Sequence, residues 1–420
     1  MSELLIVHCS QLVTLAGPQR PRTGTEMCEV GALADGAMLV RDGRIAAIGL
    51  RADVEPLAKD AEVFDAGGRL VTPGFVDAHT HLVFAGNRAN EFEMRCAGAT
   101  YQEIAGQGGG IRSTVRKTRA ATEDDLVRAG SRYARWFLQG GTTTVEAKSG
   151  YGLSLESELK SLEAIRDAAA RWPGTVVATL LGAHAVPKEF QGRGDEYVHE
   201  VCEKMIPEAA KQKLAQFVDV FTERAAFSVE NTARIFEAAK KHGLGVRAHV
   251  GQLSETPLQP LLRYNPASFD HVDQVSDVDI RTLAQQDTIA TLVPGANYFL
   301  GLEKFPPARK LIEAGVPVAL ATDYNPGSSP TPSMPFVLSL ACTHMKMSPA
   351  EAISAATING AWALRLSDRK GSIEHGKDAD FAVFEADDYR EIPYWFASNR
   401  CAFTVLNGTV IASAGSAVLG

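Results

Sequence analysis

Two histidines one residue apart, His79 and His81, end an apolar run that starts at Val71 and passes through Pro73, Gly74, Phe75, Val76 and Asp77. On an extended strand, residues i and i+2 point to the same side, about 6.5–7 Å apart, so two such imidazoles can converge on one ion. Further along, His249 and Asp323 each end another apolar run, as do Glu146, His184, Glu223 and His271. His79, His81, His249 and Asp323 together offer three nitrogens and a carboxylate, a donor set suited to one zinc or iron ion. A cation held this way brings the pKa of a bound water down to about 7 and polarises a carbonyl. Such chemistry hydrolyses amides.

The elements that must position these groups follow a repeated grammar. Thr122 with Asp125 forms a capping box at the start of a helix, and Leu126, Ala129, Tyr133, Trp136 and Phe137 fall on one of its faces. Gly140-Gly141 stops that helix before the strand-like Thr142-Thr143-Thr144-Val145. Ser228 caps another helix, which ends at His242-Gly243 before a strand to His249. A third runs through Glu313 to Gly315 before Val316–Thr322, and Ser348-Pro349-Ala350-Glu351 is expected to open the last helix before the tail. Candidate strands at 71–79, 142–146, 175–182, 217–222, 244–249, 268–271, 289–293 and 316–322, alternating with helices, predict an α/β fold of the (β/α)8 barrel type. Chemistry in such a barrel sits at the carboxyl ends of its strands, where the candidate residues all lie.

The flanks read differently. Asp42-Gly43 and Asn407-Gly408 are hairpin signals between short apolar runs, so residues 1–65 and 376–420 are expected to pair into a small β-sandwich beside a barrel spanning 66–375. Gly106-Gln107-Gly108-Gly109-Gly110 lacks the Lys and Ser/Thr of a phosphate loop and is expected to act as a lid or a backbone contact. Lys148 is placed on the loop after the second strand. With no obvious bridging lysine, the site is expected to hold a single ion. Glu146 and Glu223 are candidates to hydrogen-bond a metal-binding histidine, or else are polar residues at the barrel rim.

The 420 residues are 45% hydrophobic and 22% charged, as in an ordinary globular protein, and carry a formal net charge of −8. No basic stripe suggests a nucleic-acid or anionic-membrane partner, and no apolar run reaches the ~20 residues of a membrane span. No signal peptide is apparent after Met1, and Cys9, Cys28, Cys96, Cys202, Cys342 and Cys401 are scattered. Such spacing is expected of reduced thiols in a cytoplasmic protein.

The Pro-Gly-Phe-Val-Asp-Ala-His-Thr-His stretch, with the later histidines and Asp323, resembles the amidohydrolase superfamily. Phe84–Arg88, Gly108–Ile111, Glu146–Gly152, Gly182–His184 and Thr322–Gly327 are similar, more narrowly, to the imidazolonepropionase family, and the likeness covers essentially the whole chain. It implies hydrolytic opening of an imidazolone ring to N-formimidoylglutamate, with one Zn2+ or Fe3+ on His79, His81, His249 and Asp323. The family's substrate contacts carry over to Arg88, Tyr101, Tyr151, His184, Asn325, Gly327 and Ser328. A homodimer is plausible from the same resemblance. Arg88 suits a propionate, because a guanidinium offers a carboxylate two parallel donors where a lysine offers a point charge. The alternatives are a deaminase of a purine, pyrimidine or similar heterocycle, and a metal-binding scaffold without catalysis.

Asp323 suits the catalytic base, and His271 or His184 is expected to hydrogen-bond the attacking water or the ring carbonyl, their roles being exchangeable. Gln252 stands three residues after His249, where other members carry Glu. A neutral amide cannot move protons, so Gln252 is expected to hydrogen-bond the ring while the base lies elsewhere. Gln252→Glu should therefore retain turnover. Loss of activity in that variant with its metal content intact would refute this assignment.

Overall fold

The computed structural model of the chain describes residues 3–99, 103–104, 108–224, 226–413 and 416–417. Eight parallel strands follow one another in chain order: Phe75–Asp77, Thr142–Lys148, Thr175–Ala183, Phe217–Thr222, Gly245–Val250, Ser268–His271, Ile289–Leu292 and Val318–Leu320. The seam between the last strand and the first lies just past both of them. Thr80 bridges Tyr324 in parallel, Asp323 N donates to His79 O at 3.0 Å, and His81 N donates to Tyr324 O at 2.9 Å. The expected α/β barrel is present, and its closure uses the backbone of the very residues singled out for chemistry.

One expected strand divides in two. Val71–Pro73 finishes a longer strand, Glu62–Pro73, which pairs with Phe381–Phe384 outside the barrel. A strand of the terminal sheet therefore runs across residues 65 and 66. The chain changes sheets at Gly74, where a Cβ would overlap the Thr143 side chain. Gly74 N bonds Asp380 O and Phe75 N bonds Gly141 O. A continuous apolar run records that it is buried but not which sheet buries it.

The terminal segments form one mixed sheet, nine-stranded among the described residues, in which Glu3–Val13 and Glu62–Pro73 lie centrally and Phe381–Phe384 joins the carboxyl-terminal hairpin to them. Asp42 and Asn407 adopt the left-handed backbone that two-residue hairpins require, at φ +49° and +47°, each followed by a glycine. The sheet curls until these hairpins meet. A Cβ on Gly43 would lie 3.0 Å from Asn407 Cβ. Ile6, Met38, Val40, Val71, Phe381 and Val405 then share a core of their own.

The helices start where their caps place them. Asp125 N donates to Thr122 Oγ1 and Thr122 N to Asp125 Oδ2, both at 3.2 Å, opening the helix Glu123–Gln139. Ser228 and Ser348 form the same reciprocal box with Asn231 and Glu351. Leu126, Tyr133 and Phe137 are buried, but Trp136 is 42% exposed. At 100° per residue Trp136 sits about 80° from Leu126, the margin of the inward face, and it packs on Tyr133 with ring centroids 5.3 Å apart. Among the described residues no helix is long and apolar enough to cross a membrane.

The seam has a further tie. Asp77 is fully buried and accepts from Thr322 N at 3.0 Å and Thr322 Oγ1 at 2.6 Å. Asp77→Ala leaves two buried donors without a partner, each costing about 1–3 kcal/mol. A fall in the chemical denaturation midpoint of that order is expected, with a smaller fall for Asp77→Asn, which keeps an acceptor.

Candidate metal centre

The carboxyl ends of the strands bring histidines from strands one, five and six into edge contact. Ring centroids lie 5.5 Å apart for His79 and His81, 4.5 Å for His79 and His249, and 5.3 Å for His249 and His271. Asp323, on the turn after the last strand, puts Oδ1 at 3.5 Å from His79 Nε2 and 3.6 Å from His81 Nε2. These separations are too long for hydrogen bonds, yet all the rings are buried. One potential ligand atom from each of His79, His81 and Asp323 lies within 4.8 Å of the others, and the same holds for His79, His249 and His271. His271, which sequence reasoning set apart from the ion, is thus as close to the cluster as the four residues assigned to it.

Hydrogen bonds fix the tautomers. His79 Nδ1 lies 2.6 Å from Asp270 Oδ2, and His249 Nδ1 lies 3.1 Å from Asp219 Oδ1. An ionised carboxylate only accepts, so both rings carry their proton on Nδ1 and keep the Nε2 lone pair free. His79 Nε2 and His249 Nε2 are buried with no hydrogen-bond partner, as are His81 Nδ1 and His271 Nδ1. Burial drives His79, His81 and His271 well below the usual imidazole range, so they are neutral at pH 7. Burial also raises the Asp323 carboxyl well above its usual range. Orphaned lone pairs beside a carboxylate that, among the described residues, pairs with no lysine or arginine are what a bound cation would satisfy. Carboxylates behind ligating histidines are the usual means of holding such rings. The donor set fits a metal ion.

Backbone strain gathers at the same place. His271, Val272 and Asp323 are left-handed without being glycine, at φ +75°, +57° and +51°. Each such residue costs roughly 1–3 kcal/mol and is held by its surroundings: Val272 N bonds Val250 O, and Asp323 N bonds His79 O, both at 3.0 Å.

Around the cluster, His184 stacks on His81 at 5.2 Å and donates Nδ1–H to Gly150 O at 2.9 Å, which leaves its Nε2 as an acceptor. Burial and then His249 push His184 down to about 3. The buried Tyr151 ring lies 5.6 Å from His81 and 5.4 Å from His184. Half-buried Arg88 spends its Nε on Thr114 Oγ1 at 2.9 Å. Its guanidinium lies against Gly327, where a Cβ would overlap it. Asn325 is fully occupied: Oδ1 accepts from Gly327 N and Ser328 N, and Nδ2 donates to Asp323 O and Ser328 Oγ. It shapes the turn that carries Asp323. Ser328 Oγ lies 3.5 Å from Asp323 Oδ2. Gln252 is half-buried on the loop after strand five. Tyr101, with Gly106 and Gln107 of the expected lid, lies outside the described residues.

Three sequence expectations are corrected here. Lys148 is not on a loop: it ends strand two, fully buried, with Nζ 2.7 Å from Glu146 Oε1 and 2.6 Å from Asp219 Oδ2. Glu146 does not serve a histidine but accepts from Thr80 N and Lys148. Glu223 accepts from Leu253 N and Ser254 Oγ. The groups that do serve the histidines, Asp219 and Asp270, went unnoticed, as did Arg247, which donates to Asp270 and to Ala78 O. A signal was available: each is a charged residue in the interior of a short barrel strand, flanked on at least one side by an apolar residue. Burial opposes charge on Asp219, yet His249 and Lys148 beside it hold its carboxyl well below the ordinary range.

The model of the amidohydrolase family matches residues 62–114 and 108–412 of the chain. An imidazolonepropionase of Solibacter usitatus is 49% identical over 98% of the chain and 99% of that relative. One from Geobacillus kaustophilus is 45% identical over 99% of each. Among solved structures, Escherichia coli guanine deaminase superposes with a TM-score of 0.75 at 17% identity, covering 98% of this chain and 99% of that one. An adenosine deaminase from Xanthomonas campestris gives 0.73 at 20% identity, covering 99% of this chain and 94% of that one. These two likenesses describe the fold.

Linkage makes the metal testable without an assay of turnover. Zinc at about 1,000 times its dissociation constant stabilises the folded protein by roughly 4 kcal/mol. Calorimetry of chelator-treated protein should show a rise in Tm on adding zinc, and His249→Ala should abolish that rise.

Proposed function

The chain belongs to the imidazolonepropionase family of amidohydrolases, and from that premise we propose how its own residues open the ring of 4-imidazolone-5-propanoate to give N-formimidoyl-L-glutamate. The observation that carries the assignment of roles is the coincidence, at one barrel mouth, of unpartnered imidazole nitrogens and an arginine set against the Asp323 turn. His79, His81, His249 and Asp323 would hold one metal ion per chain, zinc or iron, since nitrogen and oxygen donors suit both. Such an ion acidifies water and polarises a carbonyl.

The chain's residues do the rest. Arg88 takes the propionate, since a guanidinium whose Nε is already anchored presents its outer nitrogens as a fork. The rings of Tyr151 and His184 line the approach and exclude water from one face of the five-membered ring. Asp323 takes a proton as water adds to the ring carbonyl carbon. The carbon–nitrogen bond breaks, the proton passes to the leaving nitrogen, and the carbonyl carbon becomes the new carboxylate. His271 hydrogen-bonds the carbonyl oxygen from the neighbouring strand end, and Gln252 bonds the ring edge. Six unpaired cysteines suit the reducing cytoplasm.

Loss of the substrate's absorbance on incubation with purified protein tests the reaction, and turnover of purines or pyrimidines in its place would overturn it. Exchanging a forked contact for a point charge forfeits about 1.5–3 kcal/mol. Arg88→Lys is therefore expected to raise KM roughly 10- to 100-fold while changing kcat less, in steady-state kinetics.

A further inference from the structure

Beneath the histidines, on the closed side of the barrel, lies a set of charged side chains that no step above uses. Glu146, Lys148, Asp219, Arg247 and Asp270 come from four different strands, and none has any exposed side-chain surface. Lys148 Nζ sits among three carboxylates: 2.7 Å from Glu146 Oε1, 2.6 Å from Asp219 Oδ2 and 3.6 Å from Asp270 Oδ2. Each of these then reaches the metal-binding residues. Asp219 Oδ1 accepts from His249 Nδ1 and from His249 N. Asp270 Oδ2 accepts from His79 Nδ1. Glu146 Oε2 accepts from Thr80 N, between His79 and His81, while Thr80 Oγ1 donates back to Glu146 O at 2.6 Å.

Arg247 does not duplicate this arrangement. Its guanidinium bonds Asp270 at 3.0 Å and Ala78 O at 2.7 Å, and approaches Glu146 at 3.5 Å. The hydrogen bond to Asp219 is made by Lys148. Three anions and two cations share a space closed to water, where an unpaired carboxylate is strongly disfavoured. An ammonium with three donors can join carboxylates that would otherwise repel one another.

We propose that Lys148 is a positioning residue for the metal centre. One buried ammonium, hydrogen-bonded to Asp219 and Glu146 and 3.6 Å from Asp270, holds these carboxylates in register, so that His249 and His79, on different strands, present Nε2 to the same point. The inference rests on the reading that these histidines hold a cation. It assigns to Lys148 no contact with the ion or with substrate, and no bridging role between two ions, because its ammonium is spent on carboxylates.

The test titrates full-length, zinc-loaded protein with a chromophoric chelator and compares wild type with Lys148→Met, Asp219→Asn and the double variant. Lys148→Met is expected to lose about 10- to 100-fold in zinc affinity, the range for removing a group behind the ligands. The double variant should lose little more than the weaker of the two single variants, since the lysine acts through the carboxylate. The cobalt-loaded Lys148→Met protein should also show a shifted d–d spectrum, which a distant packing defect would not produce. A folded Lys148→Met protein with wild-type zinc affinity and cobalt spectrum overturns the proposal, as do losses that multiply fully in the double variant. Should Lys148→Met fail to fold, Lys148→Gln, which keeps a hydrogen-bond donor but no charge, is titrated in its place. A loss of zinc affinity with a shifted cobalt spectrum upholds the clamp, and wild-type affinity and spectrum remove it. A wild-type protein that retains no zinc against the chelator sinks the metal reading itself, a result separate from all of these.

Discussion

The seam between the first and last barrel strands is closed by backbone atoms of the residues that carry the candidate ligands. Asp323 N bonds His79 O, and His81 N bonds Tyr324 O. No change in the pairing of these two strands can leave His79, His81 and Asp323 in their present relation. Asp77 reinforces the seam by accepting both polar hydrogens that Thr322 offers. The positive φ of Asp323 is a consequence: the chain turns in the left-handed region so that its carboxylate faces the imidazoles while its N–H completes the barrel. Fold and site are one construction here, and strain is stored where closure and chemistry meet.

Electrostatics imposes the second constraint. Five imidazoles and several carboxylates packed together cannot all be charged, and burial keeps His79, His81, His184 and His271 neutral. Their Nδ1 protons go to Asp270 and Asp219 in two cases and to the Gly150 carbonyl in a third. Below them the carboxylates are balanced by Lys148 and Arg247; above them, among the described residues, no lysine or arginine forms an ion pair with Asp323. The interior is thus compensated at its base and left open to a positive ion at its mouth. This polarity along the barrel axis suits a cation at the strand ends where such a barrel places its chemistry.

Much of this was legible in the linear chain. Strand positions could be read because buried parallel strands are short apolar runs, and each ended in a polar residue wherever the barrel carries function. Helix starts at Thr122, Ser228 and Ser348 were local, since a capping box needs only four neighbouring residues. Reading failed where burial has a direction. Val71–Pro73 is equally apolar whether it faces the barrel or the terminal sheet, and Trp136 sits at the edge of a helical stripe. Lys148 looked like loop because a lysine at a strand end is normally solvated; three carboxylates from other strands make its burial tolerable.

By itself the sequence determined the inventory and its order: which donor types exist, that they stand at the carboxyl ends of strands, and hence that they gather at one end of a barrel. Only the tertiary structure decided the pairing. Asp270 stands beside His271 in the chain yet holds His79, and Asp219 holds His249 from thirty residues away. Those partnerships, with the tautomers and free nitrogens that follow from them, depend on the tilt of strands round a closed ring. Periodicity within one strand carries no information about that angle.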